Sequence, residues 1–227
     1  MKADKISIII PVLNEANTIE ELLVRLFDVQ NVEVIVVDGG SQDETMAIAQ
    51  SLGVKVIATT ASRAQQMNAG AAVATGDILL FLHADTSLPS GFDILVRRAL
   101  EDSRTVAGAF ELLIDAQLQG LRLIEQMVNL RSRFFSMPYG DQAIFLRATV
   151  FREIGGFPNL PIMEDFEMMR SLRSRGKITI LSASVLTSGR RWQQLGVIKT
   201  TLINQLVIIG YLLGVSPEII VRWYRGR

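Results

Sequence analysis

Four short apolar runs, ISIIIPV (6–12), VEVIVVD (32–38), VKVIAT (54–59) and DILLFL (77–82), are each separated by one helix-length segment. This spacing constrains the fold more than any other feature of the chain. Runs of this length rich in Ile, Val and Leu suit strands buried on both faces. Single-helix crossovers between them imply right-handed connections and a mostly parallel sheet covered by helices on both faces. Asn17 to Glu20 reads as a capping box opening a helix through Phe27. SQDETMAIAQSLG (41–53) reads as a helix with acidic residues in its first turn and Gly53 at its stop. SRAQQMNAGAAVATG (62–76) is a further helical segment.

After Pro89 the pattern loosens. A helix over 91–102, a longer strand VAGAFELLID (106–115) and a helix over 118–134 come first. YGDQAIFL, REIGGFP and MEDFEMMRSLRSRG follow, then two short strands around 178–187 and an apolar C-terminal stretch. No linker, repeat or low-complexity tract divides the 227 residues. The expectation is one domain over 1–227, with a nucleotide-binding-type half (1–115) and a more irregular half (116–227) ending in helices.

Composition narrows the chemistry. The absence of cysteine excludes disulfides and thiolate metal sites and suits a reducing compartment such as the cytoplasm. The apolar run near the N-terminus follows Asp4, lacks a small-residue cleavage site, and reads as a strand rather than a signal peptide. Formal charge is balanced overall, but residues 1–116 carry 8 basic and 16 acidic groups and residues 117–227 carry 15 and 7. The basic half suits a diphosphate, an anionic lipid surface or the acidic half itself. No basic run interleaves with aromatics, so nucleic acid is not an expected partner.

Ligands of open parallel sheets bind beyond the carboxyl ends of the strands. There the first strand runs into Asn14 and Glu15, the second into Asp38, and the fourth into His83, the only histidine, and Asp85. Neither common phosphate-binding glycine pattern follows the first strand, and DGGS (38–41) is a weak phosphate loop. Asp38 suits the N–H of a base or a ribose hydroxyl. Asp85 needs a divalent cation, Mn²⁺ or Mg²⁺, to meet a diphosphate without repulsion. If the fourth strand continues, His83 and Asp85 share a face, which would make the imidazole a second ligand.

IIIPVLNEANTIEELL, EVIVVDGGSQDET, NAGAAVATGDILLFLHADT and MEDFEMMRSLRSRG, in this order, resemble the motifs of family 2 glycosyltransferases of the GT-A fold. SRAQQMNAGA, HADT and YGDQAIF are similar to a small, stand-alone bacterial branch of that family. The resemblance implies inverting transfer of a sugar from a UDP- or GDP-linked donor to an acceptor hydroxyl, with a divalent metal. Pro11, Asn14, Glu15 and Asp38 would hold base and ribose; Asp85, matching the last aspartate of the family's D-x-D motif, would hold the metal; Asp165 would be the catalytic base, with Glu164 beside it. His83 stands where that motif has its first aspartate, a departure at the ribose contact.

Arg63 opens RAQQMNAG within reach of a phosphate or base edge, and Asp141 and Gln142 follow a glycine turn where they would face the acceptor or donor sugar. Arg190 and Arg191 would clamp the diphosphate from a C-terminal loop. Glu167 reads as helix solvation paired with Arg170. TTLINQLVIIGYLLGV (200–215) is shorter than the ~20 residues that span a bilayer. Core or homodimer packing is one reading of it. Peripheral contact with the inner face of a membrane, where a lipid-linked acceptor would lie, is the other. Two rival functions stay open: nucleotidyl transfer to a sugar phosphate, and nucleotide binding without catalysis. The first wants a basic glycine-rich loop after the first strand, where this chain has PVLNEANT; the second sits poorly with both Asp85 and Asp165.

Overall fold

The structure is a computed structural model that describes residues 3–59 and 62–225. Its centre is an eight-stranded sheet: β1 (Ile6–Val12), β2 (Val32–Asp38), β3 (Lys55–Ala58), β4 (Ile78–Phe81), β5 (Thr86–Ser87), β6 (Thr105–Asp115), β7 (Phe145–Arg147) and β8 (Lys177–Ser188). The spatial order is β3-β2-β1-β4-β7-β6-β8-β5. Only β7 and β5 run against the others. Six strands therefore present their carboxyl ends at one edge, as the alternating pattern predicts.

Strand alternation sorts the core into two layers. Ile8, Ile10, Leu80 and Leu82 face one side with Ile19, Leu23 and Val96, from α1 (Ala16–Leu26) and α4 (Phe92–Ala99). Ile9, Ile35, Leu79 and Phe81 face the other, with Met67 from α3 (Arg63–Val73), Phe151 from α6 (Ala148–Glu153) and Met169 from α7 (Glu164–Arg173). α2 (Thr45–Ser51) and α5 (Leu121–Phe135) join the first layer. α8 (Arg190–Leu195) follows β8, and α9 (Val197–Leu212) and α10 (Pro217–Arg225) close the second layer. Phe81, Phe151 and Phe157 pack with ring centroids 4.8 to 5.7 Å apart beneath the site described below.

Four local expectations are corrected. The helix after β1 begins at Ala16 without a side-chain cap, because Asn14 turns the chain early at φ 56°. Asparagine tolerates that left-handed conformation. The capping box belongs to α3, between Ser62 and Gln65. β4 stops at Phe81, so His83 and Asp85 lie in a loop and share no strand face. The two short strands around 178–187 are one, β8, whose pairing with β6 is interrupted by a register shift at Phe110/Glu111.

Candidate active site

The ends of β1 and β2 build the first part of a rim. The Asn14 N–H donates to Ser41 Oγ at 2.9 Å and its Oδ1 accepts from the Gln42 N–H at 2.8 Å. Asp38, only 1% exposed, accepts at Oδ2 from the N–H groups of Gly40 and Ser41. Its Oδ1 is buried with no partner, an arrangement that costs about 1–3 kcal/mol until a donor arrives. Pro11 is half-buried opposite Val37. Behind the rim, Gln66 Nε2 donates to the carbonyls of both Val12 and Val37, fastening the two strand ends to α3.

The second part gathers around a guanidinium. Ser188, at the end of β8, donates its N–H to the Asp85 carbonyl, which brings the start of α8 against the loop after β4. Arg190 Nη2 lies 3.1 Å from Asp85 Oδ2 and 3.1 Å from Glu15 Oε2. One cation thus joins the carboxylates after the first and fourth strands. Arg191 is not brought to this rim. Its Nη2 donates to the Tyr224 carbonyl at 2.7 Å and its guanidinium stacks 3.9 Å from the Tyr224 ring centroid, tying α8 to α10.

A cavity of about 10 Å³, room for about one water, completes the site. Arg63, Phe81, His83, Gly140, Glu164 and Asp165 are among its lining. Asp165 sits on the first turn of α7, where the helix dipole favours a carboxylate. Its Oδ2 accepts the Gly140 N–H at 2.7 Å and its Oδ1 the Phe166 N–H at 2.7 Å. Met163, immediately before this turn, is held at φ 69°. A non-glycine residue in that region is strained, and such strain concentrates where a site must be aimed.

The electrostatics of the cavity follow from burial. Glu164, 6% exposed, has its carboxyl pushed up to about 7 by burial and by the neighbouring Asp165 charge, against the pull of Arg63. Burial, then the Arg63 charge, lowers His83 to about 3, so its imidazole is neutral at physiological pH. Asp141, on the single 3₁₀ turn Gly140–Gln142, is pushed up to about 6 by burial and the charge of Asp165, with Arg131 opposing, and its Oδ1 is buried and unpartnered.

Gln142, expected at the sugar, is instead a core strut. It is wholly buried, donates to the Phe110 carbonyl, and accepts from Ser132 Oγ at 2.8 Å. Glu167 pairs with Arg170 and accepts from the Tyr211 hydroxyl.

Sequence reasoning missed Gly140. A Cβ there would stand 3.1 Å from His83 Nε2 and 3.4 Å from Asp165 Oδ2, so the glycine lets backbone meet carboxylate. It also missed Asn68, which holds both the N–H and the carbonyl of Phe157 at the cavity wall. The signal was present in RAQQMNAG, where amides recur two residues apart on a helix of low amphipathicity.

The strand-end carboxylates lie at the carboxyl edge of a mostly parallel sheet, where α/β folds of this class bind their ligands. The glycosyl transferase family 2 model matches residues 7–151. The chain belongs to glycosyl transferase family 2, and its fold is GT-A. It is 30% identical over 163 residues, 65% of this chain and 49% of the relative, to an undecaprenyl-phosphate 4-deoxy-4-formamido-L-arabinose transferase of Sodalis glossinidius. A dolichol-phosphate mannosyltransferase of Pyrococcus furiosus is 34% identical over 94 residues, 37% of this chain and 27% of that protein. The chain therefore spans about half or less of the curated relatives it matches. Among solved structures, the Pyrobaculum calidifontis mannosyltransferase PcManGT, in complex with GDP-Man and Mn²⁺, superposes with TM-score 0.68 and 17% identity, covering 98% of this chain and 69% of that one. S. aureus TarS 1–349, in complex with UDP-GlcNAc, gives 0.67 and 19%, covering 90% and 66%.

Proposed function

We propose that the chain transfers a sugar from a UDP- or GDP-linked donor to an acceptor hydroxyl with inversion at the anomeric carbon. Relatives and fold neighbours whose names carry such donors or sugars support the donor class. In a single in-line displacement, the acceptor oxygen bonds to the anomeric carbon as the bond to the diphosphate oxygen breaks, and the diphosphate leaves with the electron pair. Asp165 takes the hydroxyl proton. The Gly140 N–H fixes its Oδ2, leaving the remaining lone pairs for the acceptor. Asp38 Oδ1 receives the N–H of the base or a ribose hydroxyl, Pro11 and Asn14 shape that end, and Arg63 neutralises charge at the cavity mouth.

The residues fit a divalent cation. Asp85 and Glu15 already converge on one positive group, the Arg190 guanidinium. A hard ion needs only one or two carboxylates beside the substrate phosphates. Asp85 would hold Mn²⁺ or Mg²⁺, which supplies charge compensation for the leaving diphosphate when bound. With Asp85 engaged by the ion, Arg190 would be available to pair with the donor's phosphates.

The observation that supports this reading is the convergence of Glu15 and Asp85, from the ends of two strands, on the Arg190 guanidinium, with Asp165 and His83 lining the neighbouring cavity. Thermal unfolding with UDP and GDP, with and without Mn²⁺, tests it, since a ligand of the native state raises Tm. Metal-dependent stabilisation is expected. Asp165→Asn should retain it while losing at least about 100-fold in acceptor-dependent release of nucleoside diphosphate. Full turnover in Asp165→Asn would remove the base from the scheme.

A further inference from the structure

Asn68, on α3, ties the two halves of the chain together beside the cavity. Its Nδ2 donates to the Phe157 carbonyl at 2.8 Å and its Oδ1 accepts the Phe157 N–H at 2.9 Å, so one side-chain amide pairs with the backbone of a residue 89 positions away. Gly156 makes room for the pairing. A Cβ there would stand 2.6 Å from Asn68 Oδ1, and its backbone is at φ 76°. Among the described residues, no other hydrogen bond ties residues 157–162 to another element.

The anchor itself is firmly seated. A Cβ at Gly70 would stand 2.5 Å from Ile9 Cγ2 and 2.9 Å from Val37 Cγ2, so the backbone of α3 lies directly on β1 and β2. Gln66, two residues before Asn68, holds the carbonyls of Val12 and Val37. Close packing of this kind transmits a shift rather than absorbing it. At the clamped end, the Phe157 ring meets Phe81 edge-on with centroids 4.8 Å apart and lines the same cavity as Asp165, Arg63 and Met67. The loop then runs to Met163, whose positive φ immediately precedes Glu164 and Asp165. Strain of that kind persists only where the surroundings over-determine it.

We infer that Asn68 is a positioning residue: through Phe157 it sets where Asp165 stands relative to the turns after β1 and β2. The inference rests on Asp165 being the base of the proposed reaction. One helix, through Gln66 and Asn68, is then the common frame for the turns proposed to hold the donor and for the carboxylate proposed to take the acceptor proton. Displacing such a base by about 1 Å costs rate without costing donor binding.

The Gly140 amide reports the position of Asp165, because its N–H is bonded to Oδ2 at 2.7 Å. Hydrogen exchange at this amide, resolved by NMR on the full chain, is the test. In Asn68→Ala its protection should fall about 10-fold or more, while the amides of β1 keep theirs and the UDP- or GDP-dependent rise in Tm is retained. Asn68→Asp, of the same shape but without the donor to the Phe157 carbonyl, should move Gly140 in the same direction and less far. With water as acceptor, kcat for release of nucleoside diphosphate from UDP-glucose or GDP-mannose should fall about 10-fold or more in Asn68→Ala at unchanged KM. Unchanged protection at Gly140, a loss of protection spread equally through β1, or an altered KM with kcat kept would overturn the inference. Full turnover in Asp165→Asn would instead remove the base from the proposed function and leave the Gly140 result standing, so the two failures are told apart.

Discussion

Glu164 and Asp165 are neighbours in sequence with unequal surroundings. Asp165 receives two backbone N–H groups, whereas Glu164 is buried beside it and holds its proton to about 7. A carboxyl raised in the native state stabilises below its unfolded value and loses that contribution as pH rises through the folded one. The native excess of bound proton therefore spans pH 4.5 to about 7. Glu164→Gln should gain Tm relative to the wild type as pH is raised from 5 to 8, and a constant difference across that range would contradict the assigned burial effect. Asp141 adds a change of the same sign, and His83, whose neutral form is favoured, the opposite one below pH 6.5. In sequence, the acidic types and their places after the strands were readable. The raised proton affinity of Glu164 was not, because burial depends on what packs around the cavity that Phe81 and Phe157 also line.

At the level of elements, β8 and α8 matter most. β8 ends at Ser188 against Asp85, so Arg190 falls where two carboxylates converge. These are half-exposed pairs, each worth about 0.2–1 kcal/mol in water. Removing both in Arg190→Ala should tighten Mn²⁺ binding to the nucleotide-free protein by up to about tenfold and weaken binding of UDP or GDP. Titration calorimetry separates the two effects, and unchanged Mn²⁺ affinity would deny that guanidinium and metal compete. Periodicity revealed β1, β2 and β4 because most of their side chains are apolar on both faces, and β3 through its short apolar run Val56–Ala58. It divided β8 because Ser182 and Ser184 interrupt the apolar pattern near the register shift, and it passed over β5, whose two residues are fixed only by pairing with Leu186 and Thr187. The arginine pair 190–191 was visible as charge, but its division between Asp85 and Tyr224 depends on α10 packing back on α8.

Across the whole molecule, the two halves of the chain interleave. β7, from the second half, lies between β4 and β6 of the first, and β8 pairs along β6 from Thr105 to Asp115. We expect one calorimetric transition for the full chain, and two resolved transitions would refute a single cooperative unit. The class of sheet was legible from the first half alone; the reversal at β7 was not, since AIFL has no polarity that marks direction. That reversal has a consequence. A strand running with its neighbours offers its exit to the ligand edge, but β7 offers its entrance: Phe81 donates its N–H to the Ile144 carbonyl just where the chain arrives from Tyr139 to Ala143. On the proposed function, changes in the approach to β7 that spare Gly140 and Gln142 would remould the mouth beside Asp165 while the turns after β1 and β2, proposed to hold the donor, stay as they are. Under that proposal, changing what is glycosylated and keeping what is spent to do it would be separable evolutionary events.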